Sequence, residues 1–143
     1  MWVNVRVDLN MPGRYFISLD LAGKECLVVG GGQVAERKVR SLLECGARVK
    51  VVSPEISSGL KDMFEEGKIA YRCGFYDTSD LEGVFLVIGS TDREEVNRRV
   101  AADCSALNII VNIVDDPGKS SFFVPAVVRR GSLTIAVSTD GKS

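Results

Sequence analysis

The sequence contains no histidine. That removes the commonest general base and the commonest metal ligand, so acid–base work falls to carboxylates, Lys, Tyr or Cys. Its four cysteines, Cys26, Cys45, Cys73 and Cys104, are far apart, sit in apolar segments and form no Cys-x-x-Cys pair. They read as buried free thiols rather than a zinc site or a disulfide framework. No apolar run approaches the length of a membrane span. The N-terminus lacks the basic and apolar regions of a secretory signal, which predicts a cytoplasmic protein. Excess charge of one sign is also missing. Lys and Arg number 18 against 19 Asp and Glu, a net charge of −1, so bulk attraction to nucleic acid is not indicated. Repeats and low-complexity segments are absent. What remains is an ordinary globular composition, 45% hydrophobic and 26% charged over 143 residues, enough for one domain with a small appendage.

The stretch from Cys26 to Lys38 organises the rest. A short apolar run, Cys26 to Val29, meets Gly30, Gly31 and Gly32, and a helical pattern starts at once. Gly30, Gly32 and Ala35 fit the glycine fingerprint of a dinucleotide-binding βαβ unit, with alanine in its third place. Gly30 allows the turn off the strand, Gly32 lets a pyrophosphate approach without meeting a Cβ, and Ala35 keeps helix and strand close. The following helix would aim unpaired N–H groups and a partial positive charge at the phosphates.

Ahead of this unit, Tyr15 to Leu19 reads as a short extended segment and Asp20 to Lys24 as a turn. After it, Ala35, Val39, Leu42 and Leu43 recur at helical spacing and Gly46 stops the helix. Arg48 to Val52 reads as a second strand. Ser53-Pro54-Glu55 reads as an N-cap, a first-turn proline and a first-turn acid, before a helix with Ile56, Leu60, Met63 and Phe64 on its apolar stripe. Ile69 to Cys73 is a short third strand. The apolar run Val84 to Ile88 suits a strand buried on both faces of a parallel sheet. Thr91 and Glu94 suggest a capping box for the next helix, and Asn108 to Val114 is the fifth strand. Phe122 to Val128 and Leu133 to Val137, joined by Arg129-Arg130-Gly131-Ser132, suggest a hairpin in which Pro125 argues against a central strand position. The fold class is therefore α/β, a Rossmann-like doubly wound parallel sheet with a C-terminal β-ribbon.

In such sheets ligands bind beyond the carboxyl ends of the strands. Four segments are expected to converge there: Gly30 to Val34, Ser53 to Glu55, Gly89 to Asp92, and Val114 to Pro117. Either Ser53 or Glu55 has the reach for the adenosine ribose, and Glu55 is equally a first-turn acid complementing a helix dipole. No arginine follows the second strand directly, which leans toward NAD over NADP. Asp115 and Asp116 follow an apolar strand at the expected cleft rim, where partial burial would raise a carboxyl pKa; Asp-Asp-Pro is also plain turn chemistry. Arg37, Lys38, Arg98, Arg99, Lys119, Arg129 and Arg130 are available to an anionic substrate.

Taken together, several of these motifs look familiar. Leu19-Asp20-Leu21, Val28 to Lys38, Gly46-Ala47-Arg48-Val49, Ser53-Pro54-Glu55, Gly89-Ser90-Thr91-Asp92, Val96-Asn97, Val111 to Pro117, Phe122 to Pro125 and Ile135 to Ser138 resemble the siroheme synthase N-terminal family. That family comprises precorrin-2 dehydrogenases, some of which are also sirohydrochlorin ferrochelatases. The resemblance covers nearly everything from Tyr15 to Ser143. It implies hydride transfer from precorrin-2 to NAD⁺, and in bifunctional members Fe²⁺ insertion. It places Gly30, Gly31, Gly32, Gln33, Val34, Ser53, Pro54, Glu55, Ser90 and Thr91 against NAD. Asp115 falls on the aspartate implicated in both reactions. Asn112, Ser121, Ser138 and Lys142 are candidates for the tetrapyrrole site, and no residue is assigned to a resident metal. A homodimer is implied, with the ribbon contributing, and neither nucleic acid nor membrane as partner. The expected organisation is a leader or edge segment at 1–14, an NAD-binding domain at 15–117, and at 118–143 the truncated start of a dimerisation and tetrapyrrole-site region that in the family continues into helices. Asp140 and Thr139 depart from the family's common Gly and Ser. The competing reading is a non-catalytic Rossmann module that senses NAD(H), which would bind nucleotide without turnover and leave Asp115 unemployed.

Overall fold

A computed structural model describes residues 12–139; most of the leader or edge segment expected at 1–14 and the position of Lys142 lie outside the described residues. The chain divides into two compact units, Asp20–Phe123 and the two terminal stretches before and after it.

In the larger unit, eight strands and α-helices follow in the order β1 (Glu25–Val29), α1 (Gln33–Glu44), β2 (Arg48–Ser53), α2 (Ser58–Glu65), β3 (Ala70–Cys73), β4 (Leu86–Gly89), α3 (Glu94–Ala106) and β5 (Ile110–Ile113), with a 3-10 turn at Thr78–Leu81 between β3 and β4. The strands form one parallel sheet in the order β3-β2-β1-β4-β5. The chain therefore turns back across β1 between β3 and β4, which makes the carboxyl end of β1 the topological switch point. Central β1 explains its own composition. Cys26, Leu27, Val28 and Val29 are almost fully buried because helices cover both faces.

Alternate residues of each strand serve opposite layers. Val28, Val51 and Ile88 pack with Val39 and Leu42 of α1 and Leu60 and Met63 of α2. Leu27, Val52 and Val87 pack with Val100 and Cys104 of α3 and with Leu81. Complete burial of a side chain such as Leu60 contributes about 1.5–3 kcal/mol. Edge strand β5 is covered by the chain that follows it. Ser121 N donates to the Val111 carbonyl (2.7 Å), Val111 N to Ser121 Oγ (2.9 Å) and Ile113 N to Ser120 Oγ (2.9 Å).

Four expectations need correction. Helix α2 begins at Ser58, with Ser57 as its N-cap accepting from Leu60 N at 3.2 Å. Ser53 closes β2, and its hydroxyl donates to the Glu55 carbonyl (2.7 Å), so Pro54 and Glu55 form a loop rather than a first turn. Thr91 and Glu94 make no capping box. The N-cap of α3 is Arg93, and Thr91 Oγ1 instead accepts from Arg93 N (3.0 Å). Phe85 is partly exposed because β4 begins only at Leu86, two residues into the expected run. Cys26 and Cys104 are buried and Cys45 half-buried, but Cys73 is exposed at the end of edge strand β3.

In the other unit, β6 (Ala126–Arg130) and β7 (Leu133–Val137) form an antiparallel ribbon. Arg130 pairs with Leu133, leaving Gly131 and Ser132 as a two-residue turn. Gly131 has φ +58°, the positive value such hairpin turns require. Pro125 stands just before β6, which confines that strand to residues that can donate to the ladder. Residues 15–19 belong to neither a helix nor a strand.

Candidate functional site

A cleft of about 740 Å³ opens at the carboxyl ends of β1, β2, β3 and β4, within the size range of small-molecule sites. Its walls are the glycine loop with the start of α1, the β2–α2 loop from Ser53 to Ser57, residues Gly74 to Tyr76 after β3, and Ser90 to Arg93 after β4. All ten residues expected to contact a dinucleotide line it.

Each glycine of the loop meets a different constraint. Gly30 has φ +131°, and a Cβ on it would stand 2.6 Å from Ser90 Oγ. At Gly31 a Cβ would collide with the Glu55 carbonyl oxygen at 1.9 Å. At Gly32 nothing lies within 4 Å of that position. Gly32 is also the N-cap of α1, which therefore has no side-chain cap. Open space and uncapped backbone donors thus coincide, which is what a pyrophosphate needs. The residues present fit a dinucleotide at this point.

Around the loop, Ser57 ties the β2–α2 wall to the glycine-loop wall. Its backbone N–H donates to the Gly31 carbonyl (2.7 Å) and its hydroxyl to Glu36 Oε2 (2.7 Å). The Ser57 bond and the Arg40 ion pair hold the Glu36 carboxyl below its usual range. Tyr71 donates to the Ser53 carbonyl (2.9 Å), and burial pushes its phenol up to about 12. Glu55 is exposed at the cleft wall.

Asp115 lies at the same edge of the sheet, after β5, but outside the cleft lining. It is exposed and has φ +61°. The turn that imposes this conformation is closed by Asp116 N donating to the Ile113 carbonyl (3.0 Å), and Ser120 Oγ donates to the Asp116 carbonyl (2.9 Å). Partial burial does not raise Asp116. Its hydrogen bond to Lys119 holds the carboxyl below the usual range. Asn112 donates to the Phe122 carbonyl (3.1 Å) and Ser121 caps the β5 edge, while Ser138 belongs to the ribbon unit. Of the candidate cations, Arg98, Arg99 and Lys119 pair with acids of their own unit. Residues Gly74 to Tyr76 were not expected here. The signal was available, since they directly follow a parallel strand as the other walls do. Among the described residues no group of His, Cys, Asp or Glu is placed to hold a metal ion, and no helix is long and apolar enough to cross a membrane.

A parallel sheet with this strand order, a glycine turn at the switch point and an uncapped helix behind it define a Rossmann-type nucleotide-binding domain. The sequence model of the family described as "Putative NAD(P)-binding" matches residues 17–126. The chain belongs to that family. It is 45% identical over 125 residues to the siroheme synthase of Chromobacterium violaceum and 47% identical over 121 residues to that of Ectopseudomonas mendocina. These alignments take in 87% and 85% of this chain but 27% and 26% of the relatives, so the chain spans about a quarter of their length. Among solved structures, SirC, precorrin-2 dehydrogenase, superposes with a TM-score of 0.77 at 31% identity, covering 91% of this chain and 64% of its own.

Proposed function

We propose that this chain is the NAD-dependent precorrin-2 dehydrogenase part of a siroheme-forming enzyme, acting in the cytoplasm as a homodimer. The observation that carries the reading is the glycine loop, with Gly32 open beneath an uncapped α1 and Glu55 on the neighbouring wall. The similarity to siroheme synthases and to SirC supports the choice of substrate.

Bound NAD⁺ supplies the hydride acceptor. Gly32, Gln33 and Val34 hold the pyrophosphate through backbone donors, and Glu55 accepts from the ribose hydroxyls. Ser90 and Thr91 bound the cofactor on the β4 side. Oxidation of precorrin-2 to sirohydrochlorin gives up one hydride and one proton, and Asp115 takes the proton. Its backbone sits in the left-handed region, a conformation that clusters at active sites and that aspartate tolerates in turns. In a second reaction, Fe²⁺ enters sirohydrochlorin as two pyrrole protons leave, and the same exposed carboxylate takes them one at a time, releasing each to water. The exposed Val127, Val128, Leu133, Ile135 and Val137 of the ribbon suit burial against a second copy.

Anaerobic incubation with precorrin-2 and NAD⁺, following NADH and the sirohydrochlorin spectrum, tests this. Turnover in the wild type that Asp115→Ala abolishes supports the dehydrogenase and its carboxylate. Tight NAD⁺ binding with no turnover by either protein favours the sensor module instead.

A further inference from the structure

Two cleft residues have no task in this chemistry, and they face each other. Phe75, after β3, keeps 61% of its surface exposed. Arg93, the N-cap of α3, places its guanidinium carbon 5.1 Å from the centre of the Phe75 ring. The pair therefore bridges the wall after β3 and the wall after β4. Arg93 is the only lysine or arginine among the described residues lining the cleft.

An exposed phenylalanine is ordinary in itself. This one is distinguished by how firmly its backbone is held. Its carbonyl accepts from Arg72 Nη2 (2.8 Å), and the Arg72 guanidinium forks onto Asp80, with Nε 2.8 Å from Oδ1 and Nη2 bonded to Oδ2. Asp80 is only 4% exposed. On the other side, the hydroxyl of buried Tyr76 donates to Asp103 Oδ2 (2.8 Å), and Arg99 lies over the Tyr76 ring. Both flanks of Phe75 are thus pinned while its ring stays open to the cleft. Such fixing lowers the ordering cost of binding.

We propose that Phe75 and Arg93 form a base clamp. A purine base stacks on the Phe75 ring with the Arg93 guanidinium over its other face, so the cleft takes adenine nucleotides as a class. This rests on the dinucleotide reading above. The strand order gives the direction. A ligand anchored at Gly32 and passing Glu55 at the end of β2 next reaches the end of β3, where Phe75 stands. Ring and guanidinium must part to about 7 Å, two stacking distances, to admit a base. Arg93 is half-exposed, and among the described residues its side chain is tethered only by Glu95 (3.0 Å) and by the ring itself, so it can swing. Both partners offer flat faces, which suits stacking.

Calorimetric titration of wild type, Phe75→Ala and Phe75→Leu with NAD⁺, ADP-ribose and nicotinamide mononucleotide tests the clamp. Both variants should bind NAD⁺ and ADP-ribose on the order of tenfold to a hundredfold more weakly and nicotinamide mononucleotide as the wild type does. The leucine variant keeps the apolar bulk and guards against loss of folding in the alanine variant. Unchanged NAD⁺ affinity in the variants overturns the clamp and leaves the NAD reading standing, and so does an equal loss for all three ligands. A wild type that binds ADP-ribose through Phe75 but not NAD⁺ overturns the NAD reading and supports the clamp. Failure to bind either adenine ligand overturns both.

Discussion

Gly31 lies so close beneath Glu55 that a side chain on it would have to displace the Glu55 carbonyl, which stands 1.9 Å from the position of a Cβ. Its neighbour Gly32 faces open space. The two glycines should therefore fail in different ways. Gly31→Ala is expected to destabilise the domain by about 1–3 kcal/mol through overpacking. Gly32→Ala should change stability by no more than about 1 kcal/mol, yet weaken NAD⁺ binding at least about tenfold by occupying the space a phosphate needs. Urea unfolding and calorimetric titration of both variants separate the two effects.

Asp115 holds a φ of +61°, which Asn and Gly adopt more readily than other residues. Asp115→Asn should thus keep wild-type stability and NAD⁺ affinity while lowering kcat roughly 10²- to 10⁴-fold. Asp115→Ala should lose activity similarly and also cost about 1 kcal/mol from backbone strain. Steady-state kinetics beside urea midpoints check both.

Asp80 gives the fold an acid sensitivity. Burial raises its carboxyl pKa, but the Arg72 fork, the Asp77 N–H and Lys50 outweigh burial and leave it below 3.8. A depressed folded-state value contributes stability that is complete above the unfolded pKa and is lost as pH falls through the folded one. Stability should accordingly drop below about pH 4. Asp80→Asn should cost about 1.5–3 kcal/mol at pH 7 and flatten that acid limb. Urea midpoints between pH 7 and pH 3 measure it.

The thiols should report the layers of the sheet. Burial pushes Cys26 and Cys104 up to about 11, whereas Cys73 lies exposed on β3. Timed alkylation at pH 8 with peptide mass analysis should label Cys73 first and half-buried Cys45 later. Cys26 and Cys104 should react only on unfolding.

The sheet was legible because β1 and β4 carry apolar runs that only a doubly covered parallel strand needs, with helical periodicity between them. The cleft walls followed from the glycine spacing and the rule that ligands sit beyond strand ends. What sequence could not decide was competition between similar side chains. Ser53 and Ser57 are equally good caps on paper, but Ser57 also bonds to Gly31 and Glu36 across the loop, and those distant partners settle where α2 starts. Phe75 went unnoticed for the same reason. Its significance comes from Arg72, Asp80 and Arg93, which are neighbours only after folding.

Helix α1 starts on a residue with no side chain to cap it. A Ser or Asp at that place would add a few tenths of a kcal/mol of stability and would fill the very space left open. The domain therefore leaves one of its own helix ends for its ligand to complete. Occupancy and folding become a single linked equilibrium, in which saturation to a hundred times Kd adds about 2.7 kcal/mol. The melting temperature then acts as a gauge of nucleotide concentration, and so does resistance to proteolysis of the glycine loop.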